Sequence, residues 1–316
     1  MLRAAPRFSG RYLNQGRRQA SMSQASRAPQ TVWNGTQWTT MELTKLTPDE
    51  FDRFRTFIYD KTGIRMADGK ITLLSNRIRR RLKTHSIDSF EDYYQRLTRN
   101  RLPGELEHFI DAVTTNETHF FRTGGHFDWF NDNFLPEMIE RVRTKQHDQS
   151  LRIWSAACSS GEELYTLAIC LDEALSKLAG WRLSLLGTDI SETMITAARK
   201  GIFPDRSLEQ VSDARRRKYF SQLPNNGGWA IQPKLIDMCE FRRHNLLDPL
   251  KGARQDCIFV RNVFIYFDKE SKKRAVENLI QALAPGGALV VGPADGIYDL
   301  LGDLEKKSIF LYQKPF

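Results

Sequence analysis

The feature that most limits what this chain can fold into is an alternation that begins near residue 151. Leu151-Arg152-Ile153-Trp154-Ser155-Ala156-Ala157 is a short apolar run ending in small residues, and a helical pattern follows from Gly161 to about 178. Arg182-Leu183-Ser184-Leu185-Leu186-Gly187-Thr188-Asp189 is a second run, followed by helical spacing through Met194, Ile195 and Ala198. Asp256-Cys257-Ile258-Phe259-Val260 is a third, before a helical stretch over 269–283, the turn Pro285-Gly286-Gly287 and an apolar run over 288–291. Strands alternating with helices predict an α/β fold with a mostly parallel sheet and right-handed crossovers. The alternation breaks between Phe203 and Phe241. Gly227, Gly228 and short apolar pieces there predict an inserted β-subdomain over about 204–241, built as a small antiparallel sheet.

The first half reads differently. Thr47-Pro48-Asp49-Glu50 has the form of a capping box with proline at the first helical position. Phe51, Phe54, Phe57 and Ile58 then recur at helical spacing. Further helices are expected over 69–83, with Leu74, Ile78 and Leu82 on one stripe, over 89–98 and over 103–113. Residues 42–115 therefore predict a small helical domain, and 116–150 a linker to the sheet. Residues 1–41 hold six arginines and no acid. They lack the apolar core of a secretory signal; their Arg- and Ser-rich composition resembles a transit peptide. With little apolar surface to bury, they are expected to form a disordered basic arm, or to precede a start at Met22 or Met41.

At 316 residues and 41% hydrophobic content, the chain can build a sizeable core. Its net charge of +9 suits an acidic partner or plain solubility. Cys158, Cys170, Cys239 and Cys257 form no C-x-x-C pair, which suits a reducing cytosol, so a cytoplasmic location is expected. The histidines show no H-E-x-x-H spacing, so no catalytic metal is expected. No run approaches the roughly 20 apolar residues of a membrane span. Nothing demands more than a monomer.

In open α/β sheets, ligands bind beyond the carboxyl ends of the strands. Three strand ends carry suggestive residues. Ala156-Ala157-Cys158-Ser159-Ser160-Gly161-Glu162-Glu163 brings small residues and a helix start together. It is not the G-x-G-x-x-G of dinucleotide sites, and its two acids suit a ligand with hydroxyls and a positive centre; Glu163 also has the spacing of a capping residue for Ser160. Asp189 ends the second strand, where an acid accepts from ribose hydroxyls, or else Asp189 or Ser191 caps the next helix. Arg261-Asn262 interrupts an apolar run, either as a buried polar pair seeking partners or as an ordinary exposed strand end. Outside the sheet, Thr114-Thr115-Asn116-Glu117-Thr118-His119-Phe120-Phe121-Arg122 reads as a polar segment folded on the cleft, or as a helix cap followed by a core phenylalanine pair.

Taken together and in order, these segments resemble the chemotaxis receptor methyltransferase family, CheR-type, over about 42–314. The most specific pieces are Thr115-Asn116-x-Thr118-x-Phe120-Phe121-Arg122, Ser160-Gly161-Glu162-Glu163, Asp189-Ile190, Asn245-Leu246 and Arg261-Asn262-Val263-x-Ile265-Tyr266-Phe267. The turn at 283–287 is similar to that of many class I methyltransferases. The resemblance implies a helical N-terminal domain followed, over 151–316, by a Rossmann-like S-adenosyl-L-methionine-dependent methyltransferase domain carrying the small β-subdomain. It implies that Asn116, Thr118, Arg122, Glu163, Asp189, Asn245, Leu246, Arg261 and Asn262 line the cofactor pocket. The implied reaction esterifies glutamate side chains of methyl-accepting chemotaxis receptors, whose C-terminal tail is a candidate ligand of the β-subdomain. Arg122 is expected to organise cofactor and incoming carboxylate, and Tyr266 to border the transfer site. Gly292-Pro293-Ala294-Asp295 departs from the Gly-His-Ser-Glu common in the family, which leaves a weakened cofactor-binding regulator as one alternative. A nucleic-acid methyltransferase is the other, although no aromatic and basic groove is evident and no nucleic-acid partner is expected. The run Arg77, Arg79, Arg80, Arg81, Lys83 is read as an exposed basic face that steers acidic receptor helices, or as a solvated surface.

Overall fold

The computed structural model describes residues 31–33, 38–40 and 45–316. In the first 44 residues, β1 (Thr31–Trp33) pairs antiparallel with β2 (Trp38–Thr40). The remainder of the expected basic arm lies outside the described residues.

The compact unit from Lys45 to Phe316 opens with four helices: α1 (Pro48–Thr62), α2 (Ile71–His85), α3 (Phe90–Thr98) and α4 (Glu105–Val113). The capping box is present at Thr47 and Glu50. Phe51, Phe54, Ile58, Leu74, Ile78 and Leu82 are buried in one core with Tyr93 and Phe109. At the centre of this domain Glu105 is buried, and its carboxylate accepts from Arg81, from Tyr93 Oη at 2.5 Å and faces His85 Nε2 at 2.6 Å.

The segment expected to be a linker, 116–150, is mostly helical instead. It contains α5 (Gly124–Trp129), a π turn (Phe130–Phe134) and α6 (Leu135–Arg143). Phe127, Phe130, Phe134, Leu135 and Met138 bury one side of it in the same core as the sheet. An amphipathic stripe this long has to be covered, and the sheet covers it.

The α/β part follows the predicted alternation: β3 (Ser150–Ala156), α7 (Glu162–Glu173), β4 (Arg182–Asp189), α8 (Glu192–Lys200) and β5 (Ile202–Phe203). Next come α9 (Asp213–Tyr219), β6 (Phe220–Gln222), β7 (Trp229–Ile231), α10 (Pro233–Asp237) and β8 (Cys239–Arg243). Then follow β9 (Gln255–Val260), α11 (Lys269–Ala282), β10 (Leu283–Val291), β11 (Glu305–Lys306) and β12 (Leu311–Gln313). The main sheet has seven strands in the order β11-β12-β10-β9-β3-β4-β8. β12 runs antiparallel to β10, whereas β10-β9-β3-β4-β8 are parallel. The strand order reverses between β3 and β9, so their carboxyl ends diverge there and open a crevice.

The inserted sheet is β5-β7-β6, antiparallel as expected. Its limits differ from 204–241 at both ends. It begins with β5 at Ile202, and β8 belongs to the main sheet, paired parallel with β4. β8 is an edge strand of the sheet, and only Phe241 in it is fully buried.

Candidate active site

The carboxyl ends of β3, β4, β8 and β9, together with α2 and the α4–α5 connection, enclose a cleft of about 550 Å³. All ten residues singled out in the sequence line it: Asn116, Thr118, Arg122, Glu163, Asp189, Asn245, Leu246, Arg261, Asn262 and Tyr266.

The turn after β3 shapes its floor. Ala157 and Ser159 both adopt left-handed backbone, at φ 63° and 50°. Non-glycine residues avoid that region, so their presence marks a strained loop of the kind concentrated at functional sites. Gly161 follows at φ 95°, where an added Cβ would lie 3.0 Å from Ala198 Cβ and 3.1 Å from the Phe241 ring. Glycine there lets α7 start against α8 and β8.

Glu163 does not cap α7. Its Oε1 accepts from Ser155 Oγ at 2.8 Å and its Oε2 pairs with Arg261 at 3.0 Å. The Ser160 hydroxyl donates to Glu162 instead. Asp189 is not the cap of α8 either, because the Ser191 side chain accepts from Met194 N–H. The Asp189 carboxylate accepts from Ser159 N–H at 2.8 Å and Ser191 N–H at 3.0 Å, tying two strand-end loops together. Burial pushes its carboxyl above the ordinary value, against those backbone donors.

Arg261 is buried rather than exposed, its side chain 2% accessible. It bonds Glu163 and the Arg122 carbonyl at 2.5 Å, and it lies over the Phe127 ring. Burial lowers the pKa of its guanidinium while Glu163 opposes that shift. Asn262 is left-handed at φ 58°, and Phe121 and Thr123 on either side of Arg122 are left-handed too. The polar segment 114–122 has both of its expected characters. Phe120 and Phe121 are core residues, whereas Asn116, Thr118 and Arg122 face the cleft. Asn116 O accepts from Ser159 Oγ at 3.5 Å, and Arg122 donates to Glu117 O at 2.8 Å.

The helical domain supplies the opposite wall. Asn245 Nδ2 donates to Lys61 O at 3.1 Å, Arg65 N–H donates to Tyr266 O at 2.8 Å, and Ile64 bridges Phe267 antiparallel. The basic run on α2 is divided. Arg81 is committed to Glu105, and Arg77 turns into the cleft wall, bonding Val113 O and Thr115 Oγ1. Arg80 and Lys83 are exposed. In the sequence Arg77 reads only as part of an exposed basic face, whereas it lines the cleft. Sequence reasoning missed Asp295, a fully buried carboxylate behind the Asn262 loop. For Asp295 the signal was the unusual 292–295 segment.

The geometry gains a family through sequence comparison. A profile described as "CheR methyltransferase, SAM binding domain" matches residues 116–309, and one described as "CheR methyltransferase, all-alpha domain" matches 49–114. The chain belongs to the CheR methyltransferase family. It is 36% identical over 253 residues to chemotaxis protein methyltransferase 2 of Pseudomonas aeruginosa, covering 79% of this chain and 87% of that one. To the chemotaxis protein methyltransferase of Salmonella typhimurium it is 33% identical over 271 residues, covering 84% of this chain and 90% of that one. With that of Borreliella burgdorferi the identity is 32%, covering 80% and 89%. The first profile begins at residue 116, so the helical stretch expected to be a linker falls within the S-adenosylmethionine-binding domain.

The chain is thus an S-adenosylmethionine-dependent methyltransferase. The cleft fits that cofactor chemically. A buried carboxylate at a strand end suits ribose hydroxyls. Three buried atoms on cleft-lining residues also have no protein partner: Arg261 Nε, His119 Nε2 and His244 Nε2. Buried polar atoms are ordinarily paired, so such orphans fit a wall that a polar ligand completes. Among the described residues no helix is long and apolar enough to cross a membrane.

Proposed function

We propose that this protein esterifies glutamate side chains on the cytoplasmic part of chemotaxis receptors, using S-adenosylmethionine as methyl donor. The observation that carries the reading is a cleft lined both by the strand-end carboxylates Glu163 and Asp189 and by Arg65, Arg77 and Arg122. The strand-end acids suit the cofactor's hydroxyls, and the arginines suit a carboxylate acceptor.

When bound, S-adenosylmethionine supplies an electrophilic methyl carbon on a sulfonium. A glutamate of pKa about 4.3 is already ionised at neutral pH, so the site needs no general base. Its task is alignment, and orientation of this kind supplies up to roughly 7–11 kcal/mol. We assign Asp189 to the ribose hydroxyls, with Asn116, Thr118, Asn245, Leu246 and Asn262 framing the remainder of the cofactor. Glu163 and Arg261 lock each other and brace the Arg122 backbone. The Arg122 guanidinium draws in the acceptor carboxylate, and Tyr266 borders the transfer point. Exposed Arg80 and Lys83 steer the acidic receptor surface, in a salt-dependent way. Each ester removes one negative charge from the receptor, which biases a bistable signalling element. A cytoplasmic monomer that acts on protein, not nucleic acid, completes the proposal.

The test is labelled-methyl transfer to a receptor cytoplasmic fragment beside a nucleic-acid substrate. Label that mild alkali releases from the fragment as methanol supports the reading; label on nucleic acid alone refutes it. Arg122→Ala is expected to lower turnover. Unchanged cofactor affinity and unchanged turnover together would remove Arg122 from the site.

A further inference from the structure

We propose that Asp295 is a positioning residue for cofactor binding: its buried carboxylate holds the loop after β9 in the shape that presents Asn262 and Tyr266 to the cleft. This rests on the assignment of the cleft as the S-adenosylmethionine site. Asp295 itself does not line the cleft; it sits behind it, fully buried.

Three backbone N–H groups converge on the carboxylate. Oδ2 accepts from Asn262 at 3.0 Å and from Gly292 at 2.8 Å, and Oδ1 accepts from Phe264 at 3.1 Å. Two of those donors belong to the loop and the third, Gly292, directly follows β10, so one side chain pins β9's exit to the exit of its neighbouring strand. The restraint is needed because Asn262 is held left-handed at φ 58°. A non-glycine residue leaves that conformation unless its surroundings over-determine it. From the other side, Arg65 N–H bonds Tyr266 O, and Ile64 bridges Phe267. The loop is therefore clamped between Asp295 and the helical domain, with Asn262 and Tyr266 between the clamps. Lys272 Nζ donates to Asp295 O at 2.8 Å and keeps the carboxylate-bearing turn against α11.

The space around Gly292 shows how tight this clamp is. A Cβ at Gly292 would lie 2.5 Å from Asp295 Oδ2 and 3.0 Å from Asn262 N. Alanine there would force the carboxylate and the loop apart. Asparagine at 295 keeps the shape but not the chemistry. In either amide orientation one NH₂ faces a backbone N–H, so at least one donor loses its acceptor.

The experiment measures the dissociation constant for S-adenosylhomocysteine by calorimetry, and Tm, for wild type, Asp295→Asn, Gly292→Ala and Asp256→Asn. Asp256 is the control. It is also buried and accepts from Arg152 N–H at 2.8 Å, but it lies near the start of β9, at the end of the sheet away from the cleft. Asp295→Asn and Gly292→Ala are expected to weaken binding about tenfold or more, the scale of a lost bond to a charged acceptor. Asp256→Asn is expected to lower Tm and leave binding unchanged. Wild-type affinity in Asp295→Asn overturns the proposal. If that variant does not fold, wild-type affinity in Gly292→Ala overturns it instead. Because the ligand is the demethylated cofactor alone, the result stands whether or not a receptor fragment is methylated.

Discussion

Glu105 offers the sharpest quantitative test of how the helical domain is held. Its carboxylate is buried and bound by Arg81, Tyr93 and His85. Those donors outweigh burial and hold its pKa down at about 2, against an ordinary 4.5. A group whose pKa is lowered on folding stabilises the fold above its unfolded pKa and loses that contribution as pH falls toward the folded value. The difference, about 2.5 units at about 1.4 kcal/mol each, puts the contribution near 3.5 kcal/mol at neutral pH. Glu105→Gln keeps the shape and removes the charge, so it should cost about that much, or roughly 10 °C in Tm. Urea unfolding followed by circular dichroism would measure the gap between the two proteins from about pH 6 down to about pH 3. The gap should be constant above about pH 5 and shrink below it, as Glu105 of the unfolded wild-type chain takes up a proton while the folded one stays ionised. A gap under about 1 kcal/mol at neutral pH, or one that does not shrink in acid, would refute the reasoning. The outcome bears on the site, because Arg81 shares α2 with Arg77 in the cleft wall.

Four further outcomes are expected. Asp189→Asn should weaken S-adenosylhomocysteine binding about tenfold or more. In the wild type, burial raises the Asp189 pKa, so calorimetry should show affinity falling in acid sooner than an ordinary carboxylate would give. Phe120 is fully buried between Phe203 and Phe220, with ring centroids 4.8 and 4.9 Å away, so Phe120→Ala should cost about 3–5 kcal/mol in urea unfolding. Arg80→Glu with Lys83→Glu should slow receptor methylation at low salt while cofactor affinity stays constant. Unchanged methylation would leave those charges as mere solvated surface.

The helices α1 to α4 were legible because a capping box and a 3.6-residue apolar repeat are local signals. The parallel strands were legible because runs such as 256–260 are buried on both faces and so apolar throughout. The helix within 116–150 was harder to read. It carries Gly124-Gly125 at its start, and Pro136 follows a π turn that interrupts regular helical bonding. At β8 the single buried residue gave too weak an alternation to mark a strand of the main sheet. The cleft was legible as a set of segments but not as a set of bonds. Arg261 meets Glu163 across 98 residues, and no local pattern encodes such a pairing. Arg77 looked like surface charge because periodicity shows which side of a helix is apolar, not which neighbour its polar side meets. Asp295 stands in a segment distinctive only for its departure from the family, and no local pattern encodes the three backbone N–H groups that converge on its carboxylate.

The measurement that reaches the central claim most directly is calorimetric titration of the purified chain with S-adenosylhomocysteine, beside Asp189→Ala. Saturable uptake of one ligand per chain, lost in the variant, is the predicted result. No heat of binding with the wild type, or equal binding by the variant, would contradict the assignment of this cleft.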